Sequence, residues 1–432
     1  MKKLLNIIGI FVLFLGCSSQ PEPPTELFRP NPPERSDSLE DGMPKVFLDI
    51  ETIEQKDSAI TVFYSFENSN LKDSTQLNVT VLAKLNGSDD YENITNECSG
   101  DVGSIVYSNK VCSFRWVETS KASKLKIIVD FDMDFSFEGV LESVSKHRIK
   151  DNISAMEGIR HHKYGKNLLK ETRTLIEEEF RNQNIVPWRH TFDYSGTMGI
   201  NPGTTGINII GSIVGIDSTS SQRMVVCAHY DSVGNSPGAD DNASGVAGIL
   251  EVMRVLSKYA FNKSIDFIAF DLEEVGLRGS RAYANDPKNN LNILGLINFE
   301  MIGYTCRSKE CEHMSSPDKF IFNIAVDRSS DLQEAFNTMA EAYVPNLEVY
   351  PVYSNNESDH RRSDHAPFWD KNIPALFITD GANHRNPHYH RTTDTSGTLD
   401  YDFASNIVKT TVATILEGAE VITSIEKEVD LD

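Results

Sequence analysis

Basic residues are few in this chain of 432 residues, with 41 Lys and Arg against 63 Asp and Glu. The formal net charge is −22 at pH 7. A surface of that sign repels phosphate, which argues against a nucleic-acid partner. The acidic residues are spread along the sequence, a pattern typical of a solvated surface that keeps a protein soluble.

Cysteine is also scarce, and the six cysteines show no zinc-ribbon spacing. Cys227 lies in the apolar run 224–228 and is predicted to be a buried thiol. Two pairs are close enough in sequence to form disulfides if the chain is exported to an oxidising compartment. These pairs are Cys98 with Cys112, which flank a hairpin-sized stretch, and Cys306 with Cys311, which would close a small loop.

The apolar stretch at residues 4–15 follows two lysines and is too short to span a bilayer as a helix. It ends at Phe14-Leu15-Gly16-Cys17, which resembles the lipobox of bacterial lipoproteins, where the cysteine is lipidated and becomes the new N-terminus. This predicts a signal peptide at 1–16 and a lipid anchor on Cys17 that holds the protein at the cell envelope, facing the periplasm or the outer surface. The alternative is an ordinary signal peptide in which Cys17 is incidental.

The length suggests two domains after this segment. Residues 17–43 are rich in Pro, Ser and Glu and are predicted to be a disordered tether. Residues 44–142 alternate apolar and polar positions between turn-rich stretches, which predicts a small all-β sandwich. This module has no convergent histidine or carboxylate motif; we expect a spacer or packing role, and a binding role stays open.

From 145 to 425 short apolar runs alternate with helical patterns, which predicts a three-layer α/β domain with a mostly parallel sheet. Helical spacing covers 152–184, 243–259 and 401–422. The predicted strands are 207–214, 224–228, 265–270, 293–299, 320–326 and 375–379.

Five short motifs carry imidazole or carboxylate groups, the ligands that suit zinc and similar divalent ions. Four of them follow a predicted strand, and open α/β sheets place their ligand sites at the carboxyl ends of strands. The motifs are centred on His229 with Asp231, on Asp240-Asp241-Asn242, on Glu273-Glu274, on Glu300, and on His390.

Each motif has its own chemical logic. Asp231 could accept the second ring N–H of His229, as partners of metal-bound imidazoles do. The two aspartates before Asn242 open a helix, where an acidic cap is common, yet the motif exceeds what a cap requires. An aspartate there could use both oxygens to bridge two ions about 3.5–4 Å apart.

The remaining motifs follow apolar strands. Glu273 and Glu274 repel each other unless cations offset them, so one could bind metal while the other acts as a base. Glu300 lies in an apolar run and needs a partner. His390 has a rival in His388, and Asp394 is expected to orient a neighbouring group.

The ordered set resembles the co-catalytic zinc aminopeptidases of metallopeptidase family 28 over residues 145–425. The segments Ser363-Asp364-His365-Ala366-Pro367-Phe368 and Asn372-Ile373-Pro374-Ala375 also resemble the family's sequence before its last ligand. That family includes glutamate carboxypeptidases, and glutaminyl cyclases share its fold.

The resemblance implies two zinc ions per chain and a role for each motif. His229, Asp240 and Glu300 would hold one ion. Asp240, Glu274 and His390 would hold the other, with Asp240 as the bridge. Glu273 would be the general base. Asp231, which lies beside His229 in sequence, would also be a residue of the catalytic site. Many relatives have Asp where this chain has Glu300, and the extra methylene is expected to change metal spacing or occupancy.

The function expected from these motifs is removal of N-terminal residues from peptides by a metal-dependent exopeptidase. One alternative is a glutaminyl cyclase, which uses a single zinc. Another is a carboxypeptidase, which would need cations such as Arg361, Arg362 or Arg391 for the substrate carboxylate. The third is a non-catalytic surface lipoprotein that binds through its β-sandwich.

Overall fold

A computed structural model describes residues 47–56, 59–67, 76–86, 88, 90–106, 111–117, 122–131, 135–194, 204–216, 221–289, 292–306, 320–355 and 357–431. The predicted signal peptide, Cys17, the tether and Cys311 lie outside these ranges, so lipid anchoring stays a prediction. Within these ranges, no helix combines the length and apolar character needed to cross a bilayer.

The N-terminal strands form two antiparallel sheets around one core. In chain order they are β1 (Phe47–Lys56), β2 (Ala59–Glu67), β3 (Gln76–Leu85), β4 (Tyr91–Asn93), β5 (Cys98–Gly100), β6 (Gly103–Val106), β7 (Cys112–Val117) and β8 (Ala122–Phe131). One sheet has the order β1-β2-β7-β5; in the other, β3 pairs with β4, β6 and β8. Alternate residues such as Val62, Val79 and Ile127 are fully buried between the sheets. The predicted all-β sandwich is therefore confirmed.

The last strand of the chain, β17 (Ser424–Asp430), belongs to this sandwich and not to the domain that precedes it in sequence. It pairs antiparallel with β8, from Ser424 opposite Asp130 to Asp430 opposite Lys124. The predicted sandwich ends at residue 142, because nothing in the pattern of a short C-terminal strand specifies a partner about 300 residues away. We call the sandwich with β17 the β-module.

Cys98 and Cys112 do not form the disulfide that their spacing in the sequence allowed, and both are thiols. Cys98 on β5 lies opposite Trp116 on β7, and Cys112 is four residues further along that strand. Four strand residues span about 13 Å, whereas a disulfide needs Cα atoms within about 7 Å.

Cys227 is a fully buried thiol, as predicted. Cys306 is disulfide-bonded.

The second domain is built on an eight-stranded sheet. Its strands are β9 (Trp188–Tyr194), β10 (Thr204–Ile213), β11 (Arg223–His229), β12 (Ser264–Phe270), β13 (Ile293–Glu300), β14 (Phe320–Ala325), β15 (Glu348–Tyr353) and β16 (Ala375–Thr379). They lie in the order β15-β14-β16-β13-β11-β12-β10-β9. The central four are parallel, β14 and β15 are parallel to each other, and β9, β10 and β14 make antiparallel contacts. The mostly parallel sheet is confirmed, with antiparallel pairs outside its centre.

Helices cover both faces of this sheet, which makes three layers. They are α1 (Phe137–Glu142), α2 (Lys146–Met156), α3 (Lys166–Asn182), α4 (Gly245–Leu256), α5 (Arg278–Asn285), α6 (Ser330–Tyr343), α7 (Ala366–Trp369) and α8 (Tyr401–Gly418). On β11, Val226 packs into the core with α4 and α8, while Val225 and Cys227 pack into the core with α5 and α7. This alternation follows from the two-residue period of a strand.

The predicted helical stretch 152–184 is two helices, because the chain leaves the helix after Met156 and re-enters at Lys166. Gly158 has a φ of 143°, which a residue with a side chain rarely adopts. The strands β9 and β15 were not predicted. Both are short edge strands with several exposed positions, so their apolar pattern is weak.

The sheet brings the predicted ligands to one edge. His229 is the last residue of β11, and Glu300 is the last residue of β13. Glu273 and Glu274 follow the end of β12 by three and four residues. Since these strands are parallel neighbours, their carboxyl ends place the four side chains side by side.

Removal of residues 423–432 should destabilise the β-module, because β8 would lose a neighbour along seven paired residues. We expect a loss of about 3 kcal/mol in the free energy of opening β8, from net hydrogen-bond contributions of about 1 kcal/mol each that are partly replaced by water. Amide hydrogen exchange of β8 measures this loss. Glu428→Ala, which removes partly exposed ion pairs with Lys124 and Lys126 and an exposed hydrogen bond from the Tyr91 hydroxyl, should cost about 1 kcal/mol or less. Unchanged protection of β8 after truncation would contradict the role given to β17.

Candidate metal centre

Two triads of nitrogen and oxygen ligands meet at the strand ends. His229, Asp241 and Glu300 form one, and Asp241, Glu274 and His390 form the other; within each, the ligand atoms lie within 4.8 Å of one another. Asp241 is common to both. Its Oδ1 is 3.4 Å from Nε2 of His229, and its Oδ2 is 3.1 Å from Nε2 of His390. One oxygen therefore faces each triad, the arrangement of a carboxylate that bridges two ions.

The prediction that Asp240 is the bridge is wrong, because its side chain points away from both triads. Its Oδ1 accepts the backbone N–H of Gly303 at 2.9 Å, and its Oδ2 accepts an amide N–H of Asn386 at 2.7 Å. Asp240 and Asp241 are adjacent in one irregular turn, so their side chains leave the backbone in different directions. The sequence shows two equivalent acids and contains no signal that distinguishes them.

The turn that carries Asp241 is held from both sides. Asp394 accepts the backbone N–H groups of Asp240 and Asp241 at 2.9 and 3.1 Å, so it orients this turn. Gly238 has a φ of 62°, and a Cβ atom there would lie 2.3 Å from the carbonyl oxygen of Asp241. Only glycine fits that position without moving the turn. The peptide bond between Asp241 and Asn242 is cis.

A fully buried arginine fixes the loop between β11 and this turn. Arg160 is fully buried, and among the described residues its guanidinium donates to backbone carbonyl groups only. The accepting carbonyls are those of Met156, Gly158, Tyr230, Pro237 and Gly238. A planar group with five N–H donors can hold several carbonyls in one fixed arrangement. Sequence reasoning missed Arg160, because an isolated arginine in a loop has no recognisable pattern.

Asp231 links the first ligand to the acidic turn after β12. Its Oδ1 is 3.3 Å from Nδ1 of His229, the contact expected from their spacing. Its two carboxylate oxygens also accept the backbone N–H groups of Glu273 and Glu274, at 3.0 and 3.2 Å. One side chain thus orients the His229 ring and fixes the backbone of both glutamates.

Glu300 is held by a chain of polar side chains below the sheet edge. Its Oε1 is 3.2 Å from Nε2 of His229, and its Oε2 accepts the hydroxyl of Ser363 at 2.5 Å. Ser363 in turn accepts an N–H of Asn298, whose side-chain oxygen is 3.3 Å from the Cys227 sulfur. The segment that begins at Ser363 was part of the family resemblance, but the contact of Ser363 with Glu300 was not foreseen.

The two adjacent glutamates have different surroundings. Glu274 accepts the backbone N–H of Val233 with Oε1, and its Oε2 is 3.1 Å from Nε2 of His390. The carboxylate of Glu273 lies 3.9 Å from Nε2 of His229. In the part of the chain that the structure covers, no hydrogen-bond donor is assigned to it. Glu273 is therefore the acid of this pair that is left available to a ligand in the cavity.

His390, not His388, belongs to the cluster. His388 is 2.9 Å from the hydroxyl of Thr393 and lies edge-on to Tyr304. The His390 ring is stacked on Tyr389 with ring centroids 3.8 Å apart. The triad with His229 is buried, whereas Glu274 and His390 are half-buried, so the centre opens on the His390 side.

The cluster carries more negative charge than its histidines can offset. Burial raises the pKa of Glu273 well above its usual value, and the charges of Glu300 and Glu274 add to this. Burial and then the charge of Asp241 raise the pKa of Glu274 to about 7. Burial tends to lower the pKa of His390, but hydrogen bonds to Asp241 and Glu274 outweigh it and raise that pKa to about 10. Four carboxylates and two imidazoles are a donor set that fits divalent cations such as zinc.

A cavity of about 250 Å³ leads to the four carboxylates. One wall is apolar and lies on a single face of the sheet, where Ile324 is opposite both Phe377 and Val352, and Phe322 is opposite Thr379. The rim is polar and includes Glu357, Asp359, His360, Arg362 and His384. The volume holds about eight water molecules at about 30 Å³ each, which is room for one large side chain and part of a peptide backbone.

The raised acidic pKa values predict how pH affects the metal-free protein. Burial raises the pKa values of Glu274, Asp364 and Asp394 to about 7, so the folded state binds protons more tightly than the unfolded chain. These three groups contribute their maximum to stability at about pH 4 and below, and this contribution is lost as the pH rises to about 7. His390, with its pKa raised to about 10, continues this decline above pH 6.5. Asp241 acts in the opposite sense. Burial tends to raise its pKa, but the two histidines outweigh burial and lower it, so its contribution to stability is lost as the pH falls below about 4.

We therefore expect the free energy of unfolding of the metal-free protein to fall by several kcal/mol between about pH 4.5 and 7. Urea unfolding with a chelator at a series of pH values measures this. Added zinc should restore stability at pH 7, because cations offset the charge of the carboxylates. A stability that rises with pH across this window would contradict the charge balance described above.

This domain is similar to known peptidases. A model of peptidase family M28 matches residues 208–415. YfbL, an uncharacterised protein of Escherichia coli K12, is 31% identical over 209 residues, which cover 43% of this chain and 64% of that protein. A probable leucine aminopeptidase of Trichophyton verrucosum is 26% identical over 283 residues, covering 61% of this chain and 70% of that protein. The chain thus spans slightly less than two thirds of the length of the first relative.

Solved structures show the same fold at low identity. BSAP, a zinc aminopeptidase from Bacillus subtilis, has a TM-score of 0.53 at 17% identity and covers 65% of this chain and 98% of its own. A glutaminyl cyclase from Porphyromonas gingivalis has a TM-score of 0.50 at 19% identity and covers 63% of this chain and 98% of its own. These likenesses establish the fold alone. The match to the model of peptidase family M28 covers residues 208–415, just under half of the chain, and this region contains the ligand motifs on which the predicted resemblance rests.

Proposed function

We propose that this protein is a metal-dependent aminopeptidase that removes N-terminal residues from peptides with the help of two zinc ions. The observation that carries the proposal is the position of Asp241, which turns one carboxylate oxygen toward each of two complete ligand triads. The match to the model of family M28 supports peptidase chemistry, and relatives with aminopeptidase in their names support the N-terminal preference.

The ligand assignment follows from the two triads. His229, Asp241 and Glu300 would hold the more buried ion, and Asp241, Glu274 and His390 would hold the more exposed one. Bound zinc would lower the pKa of water toward about 7 and polarise the scissile carbonyl. Glu300 is the ligand that Ser363 orients, so the longer glutamate side chain is fixed despite its extra methylene.

Glu273 is the side chain suited to proton transfer. Its carboxylate faces the cavity, has no hydrogen-bond donor assigned to it in the described ranges, and lies 3.9 Å from Nε2 of His229. Its backbone is fixed by Asp231, so the carboxylate can accept a proton from water and later donate it to the leaving amine. Asp231 acts as a positioning residue for both His229 and Glu273.

The shape and charge of the cavity favour an N-terminal residue with an apolar side chain. Four carboxylates surround the centre, and one of them, Glu273, is not assigned to a metal ion, so this end of the cavity has a local negative charge that suits a free α-amine. The wall formed by Phe322, Ile324, Val352 and Phe377 offers an apolar surface beside it. Burial of an apolar side chain on such a wall stabilises binding in proportion to the area removed from water.

The alternatives fit these residues less well. A single-zinc cyclase does not account for a second complete triad that includes His390. A binding lipoprotein would use the β-module, and in the described part of that module no cluster of metal-type ligands is found. A carboxypeptidase needs a cation for the substrate carboxylate; Arg361 pairs with Asp370 and Arg391 does not line the cavity, which leaves Arg362.

Metal analysis of two adjacent substitutions tests the assignment of the bridge. Asp241→Asn should reduce zinc affinity at both positions by more than about 100-fold, because both ions lose a charged ligand, whereas loss of an outer contact costs about 10- to 100-fold. Asp240→Asn should still bind two ions per chain at saturating zinc, since that side chain contacts Gly303 and Asn386. Calorimetry and metal content measure both. Retention of two ions by Asp241→Asn but not by Asp240→Asn would reverse the assignment.

The catalytic role of Glu273 has a separate test. Glu273→Gln should keep its zinc but lose about 10²- to 10⁴-fold in kcat on aminoacyl nitroanilides, the usual contribution of general acid–base catalysis. A chelator should abolish the activity of the unchanged protein. Full activity of Glu273→Gln would contradict the proposed mechanism. Cleavage of N-blocked peptides but not free ones would identify a carboxypeptidase, and formation of pyroglutamate from an N-terminal glutamine would identify a cyclase.

A further inference from the structure

Arg362 lines the cavity and is fixed there by two neutral acceptors. Its Nη1 donates to the side-chain oxygen of Asn383 at 2.9 Å, and its Nη2 donates to the hydroxyl of Tyr389 at 3.0 Å. The guanidinium carbon also lies 6.0 Å from the centre of the Tyr389 ring. A guanidinium has five N–H donors. These contacts orient the group while leaving most of its donors to a ligand.

The charge of Arg362 has no carboxylate partner in the described part of the chain, where no acidic oxygen lies within 4 Å of it. The other arginines nearby are engaged differently. Arg361 forms an ion pair with Asp370. Arg385 is buried and donates to the backbone carbonyls of Phe320 and Asp380. Arg362 is thus the arginine of this group that presents an uncompensated charge to the cavity.

The acidic residues at the same rim do not neutralise it. Glu357 lies 3.9 Å from His360, and Asp359 lies 3.8 Å from His384. Both carboxylates are more than half exposed, so solvent and salt screen their effect on a ligand deeper in the cavity. A ligand carboxylate at Arg362 would instead meet a fixed, planar pair of donors, which bind carboxylates in the bidentate manner.

Arg362 lies within a short distance of the metal centre. The Tyr389 ring is 3.8 Å from the His390 ring, and the Arg362 guanidinium carbon is 6.0 Å from the Tyr389 ring, so that carbon is at most about 10 Å from the His390 ring. From the first carbonyl to the carboxylate of the third residue the chain advances two residues and spans at most about 7 Å, and a bidentate pair adds about 4 Å between the carboxylate and guanidinium carbons. A peptide with its first carbonyl at the metal centre therefore places the carboxylate of its second or third residue near Arg362.

We propose that Arg362 binds a substrate carboxylate located one or two residues beyond the scissile bond, so that the enzyme favours dipeptides and tripeptides with a free C-terminus. The inference rests on the proposed aminopeptidase function and adds a substrate class to it. The same chemistry could be supplied by an acidic side chain in the leaving part of the peptide, and the experiment separates these two sources.

The test compares substrates that differ in one carboxylate. Leucyl-alanine has the terminal carboxylate and leucyl-alaninamide lacks it, while an amidated leucyl-glutamate has only the side-chain carboxylate. The quantity measured is the ratio of kcat/KM for the acid to that for the amide. We expect this ratio to be about five to ten in the unchanged protein, since a charge-assisted hydrogen bond that is partly exposed contributes about one factor of ten.

Three variants show whether Arg362 causes the preference. Arg362→Gln should bring the ratio close to one by raising KM for the acid, and Arg362→Lys should restore part of it. Arg361→Gln is the matched control, because it removes a neighbouring arginine that is paired with Asp370 and does not line the cavity; its ratio should stay at the value of the unchanged protein. Calorimetric affinity of leucyl-alanine for the Glu273→Gln protein, with and without Arg362→Gln, should show the same five- to tenfold difference without turnover.

The outcomes separate this inference from the proposed function. A ratio near one in the unchanged protein, or an equal loss on acid and amide in Arg362→Gln, overturns the role of Arg362 while the aminopeptidase assignment stands. If kcat/KM is higher for amidated leucyl-glutamate than for leucyl-alaninamide, and this difference depends on Arg362, the bound carboxylate belongs to a side chain. This result supports the role of Arg362 in binding a carboxylate. Cleavage of N-acetyl-leucyl-alanine without any cleavage of leucyl-alaninamide overturns the aminopeptidase function. Even then, loss of N-acetyl-leucyl-alanine cleavage in Arg362→Gln would support the role of Arg362 in binding a carboxylate.

Discussion

The mutual repulsion of buried carboxylates is the constraint on which the second domain depends. Asp241, Glu273, Glu274 and Glu300 converge on one small volume with two imidazoles, and burial alone would favour their neutral forms. The protein holds them with the imidazoles of His229 and His390 and with two neutral donors, the backbone N–H of Val233 and the hydroxyl of Ser363. Its own buried cation near the site, Arg160, binds carbonyl oxygens instead. The carboxylates are therefore left for cations from solution.

Because like charges resist assembly, the contacts that hold the cluster come from distant parts of the chain. Asp394 binds the turn that carries Asp241, 153 residues earlier, and Ser363 binds Glu300 across 63 residues. Asp231 joins the end of β11 to the turn after β12. Such contacts form only when the sheet has its native order. The geometry of the metal centre is consequently a property of the whole domain and not of any one motif.

The sequence predicted those parts of the structure that depend on local periodicity. The runs at 224–228 and 375–379 are strands because uninterrupted apolar residues suit a sheet covered on both faces. The meeting at one edge of the motifs that follow strands was predicted from the parallel order of those strands. The choice between Asp240 and Asp241 did not follow, because it depends on the dihedral angles of one irregular turn. The pairing of β17 with β8 and the separation of Cys98 from Cys112 depend on register across sheets, which periodicity does not specify.

Tyr389 connects the proposed carboxylate-binding residue, Arg362, with the candidate metal ligand His390. Its ring stacks on His390, the half-buried ligand, and its hydroxyl accepts an N–H of Arg362. Burial raises the pKa of Tyr389 further above its usual value, so the ring stays neutral beside the acidic cluster. A carboxylate that draws Arg362 toward itself must act on the same ring that positions His390. The half-buried triad at His390 would then respond to the far end of a bound peptide, whereas the buried triad at His229 has no such connection through Tyr389.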